Sequence, residues 1–579
     1  MDSNDRNEGR KGVKGEYSVD PITLEVIRGA FTTIADEIDI NLARTAYSML
    51  IYEYKDYAVG ILDAAGNLVC QCTGGMPIFI ADVLGAAVRD GLEIYGREGL
   101  HKADVVITNH AATMGQHLNN VAMYSPVFAG PNGDELVAFV VVTAHWTDVG
   151  GRVVSSISKF ATDVFQEGIQ FRTVKLRARG ERVEEIYRMI EYNTRFPDLV
   201  RGDIDAQLAG CNIGCERVAA LYDRYGVEAL NAAIDTIWAQ SDSAAREAVR
   251  TIPDGRYEAE SFLDDDGIDL TTPLPIRIAV IVDGDEMTID FSHIADQVRG
   301  PLNSGVSGGG YTVARVAFKY LVAPHEPANE GTFRALKMIL PPGKILSAGD
   351  NAAMGRYNMP LPTVIDTVIR ALAPAIPDRV AGAHFGSFWT LRFHGRLPET
   401  GALFQMNDSG YGGWGAISDG DGPGPFRTNC HGDTRVIPTE VLEASYPVRI
   451  DAFELRADSG GAGEFRGGLG LTKRYTVLED LTVSTGFERS QCAPWGVLGG
   501  GDGDASRVII EAPGKDPEIV LKDERPVGAG GWVIVETGGG GGFGDPAARS
   551  KDAIIADIRN GYISREAAEK IYGVSSDSN

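Results

Sequence analysis

The stretch from residue 104 to 151 constrains the fold of this 579-residue chain more than any other segment. Its apolar, β-branched-rich run from Val137 to Val142 is short enough to be a buried strand. A second short strand is predicted from Asp104 to Thr108. Strand ends hold side chains in a fixed geometry, so two strand–loop junctions can bring histidines together at one pocket. Three of the nine histidines of the chain lie in this stretch: His110, His117 and His145.

The polar residues near these histidines are candidates for a metal site and for catalysis. Two imidazoles, His117 and His145, with one or two oxygen ligands suit Zn, Mn or Fe. The oxygen candidates are Asp56, Asp148 and the amide of Asn120, three residues after His117. A histidine near a strand end is more often a hydrogen-bonded structural residue, and this spacing is no closed zinc signature. Both interpretations stay open on the residues alone, and His117, His145 and Asp148 are the catalytic candidates.

The overall charge bears on which partners this chain can have. The formal net charge of −26 repels phosphate backbones and anionic membrane surfaces, so neither nucleic acid nor a membrane is expected as a partner. No apolar run is long enough to span a bilayer, and the N-terminal residues carry no hydrophobic signal segment. We therefore expect a cytoplasmic protein whose six cysteines are free thiols.

The changing periodicity of apolar residues predicts an α+β protein of several domains with a strand-rich second half. The first 18 residues are polar and glycine-rich and are predicted to be disordered. Helical patterns dominate up to residue 250, and period-two strand patterns begin at Ile252. The predicted units are a tail at 1–18, an N-terminal α/β domain with the candidate site at 19–250, a β-rich α+β domain at 251–545, and a C-terminal helical arm at 546–579.

Several individual elements can be predicted with a physical reason. Asp20 and Pro21 are typical of a helix start, and six apolar residues at helical spacing follow before an end near Tyr47. The segment from Tyr57 to Cys72 is typical of a β-hairpin, and a break between two helices is expected near Gly226. A second hairpin is predicted about Asp283-Gly284-Asp285.

Three glycine-rich stretches invite comparison with phosphate-binding loops. They are Ser307–Gly310, Gly467–Gly470 and Gly538–Gly542, and none has the phosphate-loop or dinucleotide-binding pattern. Tight turns that need a positive φ are the favoured interpretation. No nucleotide site is therefore expected on this chain.

Several long stretches of this sequence, in the same order along the chain, resemble the hydantoinase B family. They include DPITLEVIRGAF, EYKDYAVGILDAAGNLV, DVVITNHAATMGQHLNNVAMYSPVF, AHWTDVGG, PLNSGVSGGGYTVARVAFKYL and GGGGGFGDP, and they extend from Asp20 to Pro546. The resemblance implies metal ligands at Asp56, His117, position 120 and His145.

This sequence departs from the family pattern at the implied metal site. Asn120 stands where the family has an acid, and an amide is a weaker ligand that offsets none of a metal's charge. The segment Gly75-Met76-Pro77-Ile78-Phe79 replaces the family's H-I-P-V-H, so two further histidines are missing. The resemblance thus implies a Zn or Mn site that binds weakly, binds another metal, or has been lost.

The resemblance also implies a partner and a reaction class. Members work with a hydantoinase A-like, ATP-binding subunit, so ATP and Mg would bind there. They open cyclic amides such as hydantoins, oxoproline or caprolactam, or they carboxylate ketones.

Our first hypothesis is a subunit of an ATP-dependent ketone carboxylase, a ligase that converts an acetophenone-type ketone and bicarbonate to a β-keto acid. The missing acid favours it, as do apolar residues at Phe79, Ala111, Ala112 and Met114. The alternatives are a metal-dependent cyclic-amide hydrolase subunit and a non-catalytic scaffold subunit.

Overall fold

The computed structural model describes residues 19–574, so the predicted tail at 1–18 lies outside the described residues. Mixed helices and four sheets confirm the predicted α+β, multi-domain fold class. No helix in the described part is long and apolar enough to cross a membrane.

The α-helices are α1 (Pro21–Thr45), α2 (Met49–Tyr52), α3 (Pro77–Ile80), α4 (Val83–Tyr95), α5 (Ala111–Met114), α6 (Glu184–Glu191), α7 (Pro197–Tyr225), α8 (Val227–Arg250), α9 (Thr312–Val322), α10 (Leu361–Ala371), α11 (Thr439–Ser445), α12 (Lys551–Asn560) and α13 (Arg565–Tyr572).

Helix α1 begins and packs as its sequence predicts. The Asp20 side chain accepts hydrogen bonds from the backbone N–H groups of Ile22 and Thr23, both at 3.1 Å, which satisfies two donors of the first turn. The helix ends at Thr45 and packs against α7. All six apolar residues of its predicted stripe are buried: Leu24, Ile27, Phe31, Ile34, Ile38 and Leu42.

A seven-stranded antiparallel sheet forms the centre of the first half. The strand order is β2-β1-β5-β4-β3-β6-β7. Glycines of α7 let this helix lie directly on β5, because a Cβ at Gly214 would overlap Val140. The strands are β1 (Tyr57–Asp63), β2 (Leu68–Gln71), β3 (Val105–Thr108), β4 (Asn120–Ala129), β5 (Glu135–His145), β6 (Val174–Ala178) and β7 (Glu181–Arg182).

Three smaller sheets account for the strand-rich second half. The first contains β8 (Gly255–Leu263), β9 (Leu274–Asp283), β10 (Glu286–Asp290) and β11 (Leu336–Ile339), and β9 and β10 form the predicted hairpin at residues 283–285. The other two have the orders β13-β12-β16-β19 and β14-β15-β20-β17-β18. Their strands are β12 (Thr390–Arg396), β13 (Leu403–Ser409), β14 (Val448–Leu455), β15 (Leu471–Val477), β16 (Leu481–Gly486), β17 (Arg507–Glu511), β18 (Glu518–Ile519), β19 (Glu524–Val527) and β20 (Trp532–Glu536).

The apolar core has two main parts. One continuous cluster extends from α1 through the seven-stranded sheet to α10, and therefore continues across residue 250. The second cluster lies almost wholly between Phe385 and Val535. The division of the chain into domains at residues 250 and 545 stays a prediction.

The C-terminal helices pack on the body of the chain itself. A turn at Gly561 separates α12 from α13, as the sequence predicts. Asp557 of α12 forms ion pairs with Arg466 and Arg549, at 3.2 and 2.7 Å. Arg549 also pairs with Asp421 at 2.7 Å, so the arm is fixed to the second half by buried guanidinium groups.

The segment Gly538–Gly542 lies at the centre of a bundle of glycine-rich extended segments, which we call the glycine bundle. Its backbone exchanges hydrogen bonds with segments far away in sequence: Gly541 N–H donates to Ala383 O at 2.8 Å, and Gly540 N–H donates to Gly468 O at 2.9 Å. Ala416 N–H donates in turn to the carbonyl oxygen of Gly541 at 2.9 Å. The bundle therefore joins segments around residues 383, 416, 461–468, 501 and 541.

The prediction that these glycines form tight turns with positive φ was wrong. None of residues 538–542, nor Gly467, Gly468 or Gly470, has a φ in the left-handed region. A Cβ on Gly540 would overlap the carbonyl oxygen of Trp414, and one on Gly539 would overlap that of Ser459. Glycine is required because the backbones approach too closely for any side chain. The stretch Ser307–Gly310 is likewise helical rather than a turn, within a π-helix at Val306–Tyr311.

We predict that Gly540→Ala destabilises the protein by about 3 kcal/mol or more, because backbone atoms have to move to admit the methyl group. The control is Gly29→Ala in α1, where a Cβ meets nothing within 4 Å. That change should be neutral or should stabilise the helix by roughly 0.5–1 kcal/mol. Urea denaturation midpoints of both variants test this, and equal midpoints would contradict the close packing.

Candidate functional site

A buried cavity of about 50 Å³ lies between the end of the seven-stranded sheet and strands β12 and β13. It is lined by polar groups from both halves of the chain. From the first half come Tyr54, Asp56, His117, Asn120 and His145, and from the second half come Tyr357, Asn358, Thr390, Arg392, Asn407, Asp408, Ser409 and His431.

The register of the central strands places three of these residues together. Strand β4 begins at Asn120 and β5 ends at His145, and the two residues are paired across the ladder. The backbone N–H of His145 donates to the carbonyl oxygen of Asp56 at 3.0 Å, just before β1. His117 precedes β4 by a short turn, closed by a hydrogen bond from Asn120 N–H to His117 O at 3.2 Å. Four of the sequence-predicted site residues therefore line one cavity.

The two histidine rings lie edge to face, with centroids 4.9 Å apart. Nδ1 of His117 is 3.2 Å from the carbonyl oxygen of Gly355, and its Nε2 is 2.9 Å from Oδ1 of Asn120. The amide of Asn120 also donates to Gln116 and to the Tyr357 hydroxyl, both at 3.0 Å. Asn120 is therefore held on three sides by hydrogen bonds.

Burial controls the protonation of these groups. It lowers the pKa of His117 to about 4, although its hydrogen bonds to Asn120 and Gly355 act in the opposite direction. Burial, together with His117 and Arg392, holds the pKa of His145 well below its usual range. Burial raises the pKa of the Asp56 carboxyl to about 7, against the effect of Arg427 and Arg392. Both imidazoles are neutral near pH 7.

The donors of the cavity do not fit a divalent metal ion. Asp408 is engaged by Lys473 at 2.5 Å and Tyr475 at 2.6 Å, which leaves Asp56 as the available carboxylate among the lining residues. The Arg392 guanidinium, a fixed positive charge, lines the same cavity. Within residues 19–574, no group of three or more His, Cys, Asp or Glu side chains is arranged to hold a metal.

The structure does not bring every predicted residue to the cavity. Asp148 is fully buried elsewhere and accepts hydrogen bonds from the Arg195 guanidinium at 2.7 Å and the Arg195 backbone at 2.8 Å, so it fixes a loop. We therefore assign it no catalytic role. Phe79 lines the cavity, but Ala111 and Met114 belong to the main core, and Ala112 is not among the lining residues. Of the four apolar residues cited for an apolar substrate, Phe79 alone contacts the cavity.

Sequence analysis missed the cavity residues of the second half, above all Arg392 and His431. The alternation along β12 could have placed Thr390 and Arg392 on one face, since Leu391 and Phe393 belong to the second core cluster. Nothing in the local sequence indicates that this face meets residues near position 120. That contact depends on the packing of the two halves.

Glu167 positions the loop that orients His117. Its carboxyl oxygens accept hydrogen bonds from the backbone N–H groups of Gly355 at 2.7 Å and Met354 at 3.2 Å. The carbonyl oxygen of Gly355 then faces Nδ1 of His117. Burial raises the pKa of Glu167 to about 8, although both N–H groups act to lower it.

This fold and site define a member of a known enzyme family. The chain belongs to the hydantoinase B/oxoprolinase family, whose model matches residues 20–546. The B component of a putative D-/L-hydantoinase from Pseudomonas sp. (strain NS671) is 29% identical over 573 residues, which cover 96% of this chain and 95% of that protein.

Two solved structures share the fold. The crystal structure of the ATP-dependent caprolactamase from Pseudomonas jessenii matches with a TM-score of 0.89 and 30% identity, covering 97% of this chain and 98% of that one. A nucleotide-free structure of acetone carboxylase matches with a TM-score of 0.87 at 19% identity, covering 96% of this chain and 80% of that one. The second likeness concerns the fold alone.

We predict that the contribution of Glu167 to stability falls as pH rises from about 4.5 to 8. Its pKa is higher in the folded than in the unfolded chain, so its contribution is fully present below the unfolded value and is lost as pH rises through the folded value. Glu167→Gln keeps an acceptor oxygen and cannot ionise. Its urea midpoint should fall less over this range, by a difference on the order of 2 kcal/mol. Exposed Glu191→Gln is the control, and identical pH profiles for both variants would contradict this role.

Proposed function

We propose that this chain is the hydantoinase B-type component of an ATP-dependent complex and acts with a hydantoinase A-like, ATP-binding subunit. The support is its full-length similarity to the B component of a putative hydantoinase and to an ATP-dependent caprolactamase. In such a complex, phosphoryl transfer takes place on the partner, and this chain supplies the pocket for the activated carbonyl compound.

We propose further that the reaction is the carboxylation of a ketone of the acetophenone type. This choice rests on one observation. The cavity has a neutral amide at Asn120 and a guanidinium at Arg392, whereas a metal ion that activates water would need carboxylate ligands. A hydrolase gains from such a water, whereas carbon–carbon bond formation does not use one. A guanidinium instead suits a carboxylate, which is the group that carboxylation creates.

The proposed reaction starts at the α-carbon of the ketone. Loss of an α-proton gives an enolate, and its oxygen takes the γ-phosphoryl group of ATP and releases ADP. A bicarbonate oxygen then takes up the phosphoryl group, which sets the enolate free and gives carboxyphosphate. Carboxyphosphate breaks down to phosphate and CO₂. The α-carbon of the enolate forms a bond with CO₂ derived from bicarbonate, giving the β-keto acid. The enolate and CO₂ have to be kept from bulk water, and the site is buried as this requires.

Neighbouring features fit a small carbonyl substrate. His145 is neutral and its buried Nδ1 has no protein partner, so it can take part in a hydrogen bond to a carbonyl or enolate oxygen without adding charge. The ring nitrogens of His117 face Asn120 and Gly355, so His117 holds Asn120 in place beside His145. A second, more apolar cavity of about 250 Å³ is lined by Pro77 and Asn429. These residues are close in sequence to Met76, Ile78 and His431 of the first cavity, so the two cavities flank the same segments. The larger one has room for an aromatic ring.

The second candidate is ATP-dependent opening of a cyclic amide. It is favoured by the 30% identity to a caprolactamase over 97% of this chain. In that reaction the amide carbonyl oxygen takes the phosphoryl group, water adds to the carbon, and phosphate and then the ring amine leave. This route requires no α-hydrogen and fixes no CO₂.

Labelled bicarbonate separates the two reactions in the reconstituted complex. We predict ATP-dependent incorporation of label into a β-keto acid with acetophenone and none with benzophenone, because benzophenone has no α-hydrogen to remove. The lone chain with ATP should form no product. Ring opening of caprolactam or hydantoin without label, together with no turnover of any ketone, would establish the second candidate instead.

Alanine substitution tests whether this chain is catalytic or a scaffold. If the cavity takes part in the reaction, His117→Ala and His145→Ala should each lower kcat by about 10²-fold or more while the complex still assembles. Exposed His293→Ala is the control and should leave the rate unchanged. Full activity of both cavity variants would make the chain a scaffold subunit.

A further inference from the structure

Arg392 lacks the side-chain partners that most other buried arginines of this chain have. Arg392 is 6% exposed, and its guanidinium forms no hydrogen bond or ion pair with any of residues 19–574. Its Nε is buried and has no partner. By contrast, Arg489 pairs with Asp366 at 3.0 Å, Arg315 pairs with Glu330 at 2.9 Å, and Arg427 donates to several backbone carbonyl oxygens. Arg392 is thus a buried charge whose donors face the cavity instead of a protein partner.

An unpaired guanidinium in this position carries a free-energy cost. Removing a cation from water without a partner is costly, and that cost is offset when an anion accepts its N–H donors in a bidentate pair. Burial lowers the pKa of Arg392 only to about 9, so the group stays charged at neutral pH. Asp56 is near enough to raise this pKa electrostatically, yet the two do not form an ion pair within 4 Å. The charge of Arg392 is therefore available to a ligand.

The position on the sheet directs this charge into the cavity. Arg392 lies on β12, opposite Asn407 of β13 and Ser484 of β16. Thr390, two residues earlier on the same strand, lines the cavity too and offers a hydroxyl group. Asn407 is also a lining residue, and its buried Oδ1 has no protein partner, so it can accept a hydrogen bond from the O–H of a bicarbonate ion. Polar groups of three kinds thus surround one small space.

The size of the cavity limits the ligand. A water molecule needs about 10–15 Å³ of such space, so about 50 Å³ holds roughly three or four atoms of that size. A carboxylate group or a bicarbonate ion matches this size, whereas the ring of an aromatic ketone needs the neighbouring cavity of about 250 Å³. A planar anion also matches the two parallel N–H donors of a guanidinium.

We propose that the cavity is a binding site for a planar carboxylate or carbonate anion held by Arg392, and that this guanidinium occupies the electrostatic role that a metal ion would otherwise have. The inference rests on the proposed function and deepens it, since bicarbonate is a substrate and a carboxylate is the product of that reaction. It also explains the neutral Asn120, because a second carboxylate beside the anion would repel it.

The test is direct titration of the full chain, which requires neither ATP nor the partner subunit. Calorimetry with sodium bicarbonate and with sodium acetate should show one site for at least one of these anions, and inorganic phosphate should bind much more weakly. Bicarbonate without acetate identifies the substrate ion, and both together identify a general carboxylate site. Binding of phosphate alone, or of none of the three, would overturn the proposal. Turnover by the complex is measured separately, so failure here is distinct from failure of the carboxylase proposal.

Variants at position 392 assign the site. Arg392→Met removes the charge but keeps an apolar stem, and it should weaken anion binding by roughly 30-fold or more. MnCl₂ should bind this variant more tightly than the parent, because a repulsive charge next to Asp56 and the histidines is gone. Arg392→Lys keeps a cation and should retain part of the anion affinity, which rules out loss through misfolding. Exposed Arg396→Met, on the same strand, is the matched control. Equal anion affinity in the Met variant and the parent would overturn the assignment.

Discussion

The antiparallel ladder between β4 and β5 is the constraint on which the site depends. It joins two long, almost fully buried strands and pairs Asn120 with His145 at the end that opens into the cavity. The backbone of Asp56 is attached to the same end through His145. A shift of one residue in this register would turn every side chain to the opposite face of the sheet. The packing of α1 and α7 on this sheet therefore holds the site geometry as well as the core.

The opposite wall of the cavity is held in another way. The chain leaves the glycine bundle at Ala383 before it enters β12, and it returns to the bundle between Gly412 and Phe426 before the segment that carries His431. The segments that carry Arg392 and His431 are thus both anchored by backbone hydrogen bonds. The cavity between the two walls contains neutral imidazoles, the unpaired guanidinium of Arg392 and the carboxyl of Asp56, so the last two groups set its electrostatic character. With Asn120 at this end of β4, the site has one carboxyl fewer than the family resemblance implies.

Much of the first half follows from local sequence, because apolar periodicity and capping residues report directly on burial and helix ends. Helix α1, the hairpin of β1 and β2, and the break at Gly226 are found where the sequence predicts them. The cavity was predictable only in part, since His117 and Asn120 are close in sequence whereas Arg392 is brought in by tertiary packing. Local sequence did not indicate that Asp148 lies outside the cavity, because its partner Arg195 is 47 residues away. The prediction of tight turns in the glycine-rich stretches was wrong because sequence cannot distinguish a need for positive φ from a need for close backbone contact.

The glycine bundle also has a kinetic consequence. Its hydrogen bonds connect residue 383 with residue 541 and residue 416 with residue 541, so the contact order of this part of the fold is very high. Long loops have to close before such contacts form, and glycine adds to the entropy lost on ordering each segment. During synthesis the segments around 383 and 416 have to wait for the last strand of the bundle to emerge. The wall that carries Arg392 and His431 is therefore completed late, after the histidine-bearing sheet has had time to fold.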